Sequence, residues 1–400
     1  MPTLLNIDML SHKALEGFNI TPSLISVADR QYEGSFAKTG GKIGTVLRVR
    51  DTVRMSAVKQ RALSVNEITE KSKDFTVATQ AQVSWAFNHD DMTMSLDEYD
   101  QRYLKPAVAT LVNTCEIDGF AKYKDCFNVS GSAGTDPATR LVWTQAKARL
   151  KSYNVPSGPL YGFVSSGAES AMVGGTDMQN FFHNGAALDK MYATGEIGSY
   201  AGIKFMCSEN VPNHTNGTNA ENALTNGTKT SGTSIVLDSI TDNGTFTVGT
   251  SFTVADCYQV NPLTKETTQN LQIFTVTAAA TGATDDVTLT VTPEIIVSGP
   301  YQNVSSTGVV DEKAVTFVTG LTASAVTAQN IVMHPSALSL VTADLPMEPD
   351  ATMRIVRDSN VSMRLARVYD AINDRTVWRL DMLYGWALLR PEWMCRVLGA

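Results

Sequence analysis

Residues 364–390 constrain the fold of this chain more than any other stretch, because they read as one long β-hairpin. Asn373 and Asp374 tolerate positive φ, so a two-residue turn centred on them places Tyr369 opposite Trp378 and Leu365 opposite Met382. One face then carries Tyr369, Trp378, Leu380, Met382, Tyr384 and Trp386, which are the expected core-packing residues. Arg379 and Asp381 alternate onto the other face, the period-2 pattern of a half-buried strand. Pro391 ends the ladder.

Two further patterns lie upstream. Strand-like runs over 42–58 and 75–87 flank the polar stretch 66–74 and predict a long hairpin, with Arg48, Arg50 and Arg54 on one face and Leu47, Val49, Val53 and Met55 on the other. Ser95 and Glu98 fit a capping box. A long helix is predicted after it, with one line through Tyr99, Tyr103, Ala107, Leu111, Thr114, Asp118 and Ala121, an apolar stripe widened by Leu104, Val108, Val112, Ile117 and Phe120, and a kink at Pro106. Ile7, Leu10, Ala14, Leu15 and Phe18 predict a short amphipathic helix over 6–18. A helix over 136–153, with Pro137 in its first turn and Leu141, Ala148 and Leu150 buried, precedes a strand over 160–165 and short helices over 168–172, 179–182 and 186–193.

Between residues 208 and 329 arginine, methionine and tryptophan are all absent, while threonine and asparagine crowd in. Short β runs punctuated by Asn216-Gly217, Asn226-Gly227 and Asn243-Gly244 predict a small β-barrel. The methionine-containing style returns at 331–341, so the barrel reads as inserted into another fold.

No enzyme motif survives inspection. His89-Asp90-Asp91 has no second histidine cluster to complete a metal or acid/base site and reads as a polar turn, Gly174-Gly175 lacks a phosphate-loop ending, and Ser165-Ser166 is not a nucleophile elbow. The five scattered cysteines form neither a disulfide framework nor a zinc spacing. No catalytic residue, cofactor or metal site is therefore expected. A formal charge of −8 argues against wrapping nucleic acid, though not against enclosing it. No apolar run approaches the roughly 20 residues of a membrane span, and the N-terminal residues lack a secretory signal pattern, so a cytoplasmic origin is expected. The basic run 41–61, in which Lys42, Arg48, Arg50, Arg54, Lys59 and Arg61 meet only Asp51, is the candidate interaction surface. A solvated face is the plainer alternative.

Tyr369-Asp370-x-Ile372-Asn373-Asp374, Leu383-Tyr384-Gly385-Trp386 and Arg390-Pro391-Glu392 together resemble the closing segment of major capsid proteins of tailed bacteriophages, most nearly the coat proteins of short-tailed phages that carry an inserted β-domain. The stretches 29–34 and 41–50 are similar to the N-terminal arm and the start of the extended loop in that family. The resemblance implies an α+β, Hong Kong-type tailed-phage capsid fold. It divides the chain into an N-terminal arm (1–37), an extended-loop hairpin (38–92), and a peripheral domain made of a spine helix (93–130) and the C-terminal hairpin (348–400). An axial domain (131–207 plus 331–347) and the inserted barrel (208–330) complete it.

The implied function is self-assembly into an icosahedral head, with the basic hairpin reaching over a neighbouring copy. Implied partners are other copies in hexamers and pentamers, scaffolding and portal proteins, and enclosed double-stranded DNA that is not specifically bound, with no membrane. The implied location is the virion shell, assembled in the host bacterial cytoplasm. A surface-array or adhesive protein with a Thr/Asn-rich β-domain is the competing reading.

Overall fold

The computed structural model describes residues 10, 13–14, 24–32, 45–55, 59–63, 65, 68–88, 100–175, 197–219, 222–346, 352–358 and 361–399. Most of the helix expected over 6–18, the capping box at Ser95, the turn at His89, Lys42 and the helices expected over 179–182 and 186–193 lie outside them. The chain forms two compact units.

The first unit comprises Met1–Val49, Ser72–Phe120 and Leu338–Leu389. At its centre is the strand Arg375–Leu388, which pairs with Val361–Asp370, with Leu338–Ala343 and with Thr79–Asn88; Thr352–Asp358 extends the sheet beyond Val361–Asp370. The hairpin register differs from the expected one. Asp370 pairs with Arg375 across the turn 371–374, so Leu365 faces Leu380, Arg367 faces Trp378 and Tyr369 faces Thr376. Local chemistry at Asp370 explains the longer turn. Its carboxylate accepts from the Ile372 amide at 3.1 Å, Asn373 Nδ2 at 2.8 Å and Arg375 Nε at 2.9 Å. The Asn373 and Arg375 contacts hold that carboxyl down at about 2. Only Asp374 takes positive φ, whereas a two-residue turn of type I′ needs both central residues there.

Trp378, Leu380, Met382, Tyr384 and Trp386 are buried as expected, but Tyr369 is 55% exposed because it stands at the hairpin tip. The strand is not half-buried. Its even-numbered face meets the helix Lys105–Phe120, where Tyr384 donates to Asp118 Oδ2 at 2.6 Å and Trp386 Nε1 donates to the Cys115 carbonyl at 2.9 Å. Its other face places Leu383 in a cluster with Phe75, Val77, Val341, Ala343, Leu345 and Leu389. Gly385 lies where that second layer crosses, and a Cβ there would come within 2.4 Å of the Thr76 carbonyl oxygen.

A π turn over Asp100–Leu104 precedes the helix, so Pro106 falls in the first α turn, where its missing N–H goes unneeded, rather than kinking an interior. The buried stripe runs through Leu104, Ala107, Val108, Leu111, Val112, Cys115 and Phe120, whereas Thr114, on the expected line, and Ile117, in the expected stripe, are exposed. Glu116 is buried too, accepting from the Leu24 amide at 2.8 Å at the start of the helical turn Leu24–Val27.

The expected long hairpin is shorter than predicted. Thr45–Arg50 pairs with Ser72–Val77, but the second predicted arm breaks at Ala78 and continues as Thr79–Asn88 on the C-terminal sheet.

The second unit comprises Arg50–Lys71, Ala121–Ala337 and Arg390–Ala400. One six-stranded sheet runs in the order Val129–Ser130, Met394–Val397, Asn330–Met333, Leu160–Val164, Ile203–Cys207, Ser199–Tyr200. Helices Arg140–Ser152 and Ser166–Gly174 cover it through Val142, Trp143, Ala146, Leu150, Ala168 and Met172. The stripe centred on Trp143 leaves Leu141 and Ala148 exposed, against expectation, while Leu150 is buried. Membership of the sheets also departs from the expected partition: Met394–Val397 sits in this unit, and Leu338–Ala343 in the first.

A second six-stranded sheet runs Val315–Phe317, Ser251–Val260, Thr267–Val276, Val287–Ile296, Ser231–Asp238, Leu224–Thr225. Its two edges meet: Leu224 bridges Ala314, the Thr225 amide donates to the Lys313 carbonyl at 3.0 Å, and the Val315 amide donates to the Ala223 carbonyl at 3.0 Å. The result is a closed barrel filled by Phe252, Phe274, Phe317, Ile235 and Leu289. The chain departs toward it after Ile203–Cys207 and returns at Asn330–Met333, the two strands flanking Leu160–Val164, and the connecting strands Asn213–Thr215 and Val326–Ala328 pair with each other. Among the described residues no helix is long and apolar enough to cross a membrane.

Candidate interaction surface

The basic residues singled out in the sequence divide into two groups. Arg48 Nε lies 3.2 Å from Asp74 Oδ1, and Arg50 Nη1 lies 3.4 Å from Glu70 Oε2, both solvent-exposed pairs of the kind worth at most about 1 kcal/mol. Arg54 is half-buried against Glu392 Oε1 at 3.2 Å. Lys59 and Arg61 are exposed and make no ion pair among the described residues. Lys42 is outside the described residues. The continuous cationic face therefore does not form, because the returning limb supplies Glu70 and Asp74. A hairpin centred near residue 61 puts Asp74 opposite Arg48 and Glu70, just before the returning strand, diagonal to Arg50, a signal that one strand alone does not carry.

Regular alternation stops at Arg50. Val53, expected on the face opposite the arginines, is 36% exposed, and beyond it Met55, Leu63, Val65 and Ile68 stand 60%, 92%, 80% and 67% exposed. An apolar crest this open, flanked by Lys59 and Arg61, is unusual on an isolated chain and marks a surface suited to partner contact.

Other side chains anchor the base of this segment. Tyr301 donates its hydroxyl to the Thr69 carbonyl at 2.8 Å, and its ring lies 4.9 Å from Lys71 Nζ and 5.8 Å from Arg54 Cζ. Lys71 Nζ is 3.4 Å from Glu294 Oε2. Arg390 lies 3.7 Å from Asp51 Oδ1 and donates to Thr52 Oγ1 at 3.4 Å. Neither Tyr301 nor Glu294 is marked by a motif, whereas Glu392 belongs to the Arg390-Pro391-Glu392 run.

A polar cluster is buried at the barrel base. Arg396, fully buried, donates from Nη1 to the Gly249 carbonyl at 2.8 Å and to Gln329 Oε1 at 3.4 Å, and from Nη2 to Ser251 Oγ and to Thr275 Oγ1. Its Cζ is 5.8 Å from the Tyr123 ring, and Tyr123 Oη lies 3.3 Å from His214 Nδ1. Burial first, then the charges of Arg396 and Lys124, push His214 down from 6.5 to about 4.

A lowered histidine pKa means that the unfolded chain binds the proton first. Stability should be fully present above pH 6.5 and fall as the pH drops toward 4, by about 3 kcal/mol in all. Urea unfolding of the wild type and His214→Gln across this window measures it: the difference in slope belongs to His214, and identical slopes would remove the assignment.

A family model described as P22 coat protein, gene protein 5, matches residues 54–398. No curated protein matches the chain. Among solved structures, one from Mycobacterium phage Che8 is 13% identical with a TM-score of 0.48, covering 94% of this chain and 91% of that one. The capsid of Ralstonia phage GP4 is 8% identical with a TM-score of 0.47, covering 96% and 89%. The capsid structure of the cyanophage P-SCSP1u is 12% identical with a TM-score of 0.45, covering 90% and 85%.

Proposed function

The chain belongs to the P22 coat protein family, and from that membership we propose that the apolar crest of Leu63, Val65 and Ile68 is where one copy engages the next. The protein is a structural one, a major capsid protein of α+β fold that builds a phage head, and not an enzyme. The adhesive reading of its Thr/Asn-rich domain falls with that membership.

The observation that carries the proposal is the crest itself. Leu63, Val65 and Ile68 are two-thirds exposed or more beside Lys59 and Arg61, while Arg48, Arg50 and Arg54 are already paired within the chain. A second copy suits such a surface: it offers apolar area to bury and, with a formal charge of −8, an excess of acids for the two cations. Repeated over hexamers and pentamers, the contact would close an icosahedral shell. Scaffolding and portal proteins as partners, assembly in the host bacterial cytoplasm, and enclosure of double-stranded DNA by an acidic wall that does not bind it belong to the same proposal.

Leu63→Asp with Ile68→Asp should leave a folded subunit with unchanged near-UV circular dichroism and lower the yield of shells on the order of a hundredfold, since a contact worth roughly 3 kcal/mol recurs at every copy. Lys59→Glu with Arg61→Glu should act in the same direction more weakly, and Arg48→Gln hardly at all. Sedimentation and electron microscopy read the outcome; a normal yield from the Leu63/Ile68 variant would sink the proposal.

A further inference from the structure

The loop segment 50–71 and the barrel fall in the same compact unit, and most of the contacts described between them meet at one side chain of the barrel, Tyr301. Tyr301 follows the strand Val287–Ile296, and its hydroxyl reaches the Thr69 carbonyl while its ring receives Lys71 and Arg54. Both cations have second anchors, Lys71 on Glu294 and Arg54 on Glu392. Glu294 is itself on a braced strand: Asn303 Nδ2 donates to its carbonyl, and Asn303 Oδ1 accepts from the Ile296 amide at 3.0 Å. The root of the loop is thus gripped through groups on both of its limbs, Arg54 on the outgoing one and Thr69 and Lys71 on the returning one.

We infer that the barrel is a positioning device for the loop of its own chain, with Tyr301 as the pin, so that the crest is held open to solvent before a neighbouring copy arrives. The inference rests on the reading that the crest engages a second copy, and adds what prepares it. An ungripped loop carrying Leu63, Val65 and Ile68 would lower its exposed apolar area by folding back onto its own surface, and its ordering would have to be met during assembly. The grip moves that ordering cost into folding. It also gives Arg54 a role inside the chain instead of between chains.

The test uses the full-length unassembled subunit. Hydrogen exchange of peptides spanning 59–71 is compared in wild type, Tyr301→Ala, Tyr301→Phe and Lys71→Gln, with peptides from the barrel strand Thr267–Val276 as an internal control, and shell formation is followed by light scattering under identical conditions. Tyr301→Ala and Lys71→Gln should each speed exchange at 68–71 on the order of tenfold and slow assembly comparably. Tyr301→Phe, which keeps the ring and loses the hydroxyl, should fall between. Unchanged exchange in both Tyr301→Ala and Lys71→Gln would overturn the grip. Faster exchange with wild-type assembly would overturn its positioning role while leaving the crest contact standing. If Tyr301→Ala disturbs the control peptides, Lys71→Gln, which lies on the loop, decides alone. Failure of the crest reading is separate, being read from normal shells of the Leu63/Ile68 variant.

Discussion

Trp378→Ala is expected to destabilise the unassembled subunit by about 3–5 kcal/mol and to abolish shell formation through misfolding. Trp378 is 1% exposed and lies on the central strand, paired with Trp85 on one neighbouring strand and with Arg367 on the other, whose guanidinium Cζ is 5.5 Å from its ring. Truncation removes one of the two tryptophans of this face and leaves a cavity. Two hydrogen-bonded ladders hold the backbone apart on both sides, so the site cannot collapse to refill it. Tyr369 supplies the contrast. It shares the face but stands exposed at the tip, and Tyr369→Ala should cost less than about 1 kcal/mol. Urea titration of both variants decides the matter, and equal costs would mean that the hairpin face is not core.

The second large effect is expected at Asp381, on the opposite face of the same strand. Its carboxylate is fully buried, accepts from Arg364 Nη2 at 2.6 Å, Arg364 Nε at 3.0 Å and Gln80 Nε2 at 3.0 Å, and has Arg379 Nε 3.1 Å away. Asp381→Ala leaves the Arg364 guanidinium, itself only 11% exposed, without its counter-charge, and should cost about 3–5 kcal/mol. Removing both partners is a different experiment. Asp381→Leu with Arg364→Met takes away the desolvated charges together and should recover most of the loss, because a buried ion pair returns little beyond what its desolvation costs. A double variant as unstable as Asp381→Ala alone would show that the pair specifies the strand arrangement and does more than offset itself.

The hairpin shows what was legible in the sequence and what was not. Its faces are legible in the sequence although its register is not: Leu365 meets Leu380 and not Met382, a displacement of two residues, and a two-residue displacement preserves the side-chain face. The turn differs from the expected one because the hydrogen-bonding capacity of Asp370 outweighs the Asn-Asp dipeptide that follows it. Composition located the barrel, since the loss of arginine, methionine and tryptophan over 208–329 is visible without any fold. The pairing of Arg48 and Arg50 within the chain is not legible from the basic run alone. The acids that neutralise them come from the returning limb, outside that run. Tyr301 and Arg396 had no local signal at all, because their partners are set by chain topology: Thr69 for one, and Gly249, Ser251, Thr275 and Gln329 for the other.

Arg396 and the strand that carries it also impose an order on biosynthesis. Met394–Val397 lies between Val129–Ser130 and Asn330–Met333, and its arginine fills the polar base beneath barrel strands made long before it. At roughly 5–20 residues per second, a ribosome takes tens of seconds between delivering the first of these strands and delivering the last. From its own synthesis until residue 394 is made, roughly 60 residues later, Asn330–Met333 lacks a neighbour on one side, and the hydroxyls of Ser251 and Thr275 wait longer still for the guanidinium that joins them. The second unit is therefore most exposed to aggregation while the chain is still emerging, and closes only when residues 394–397 arrive.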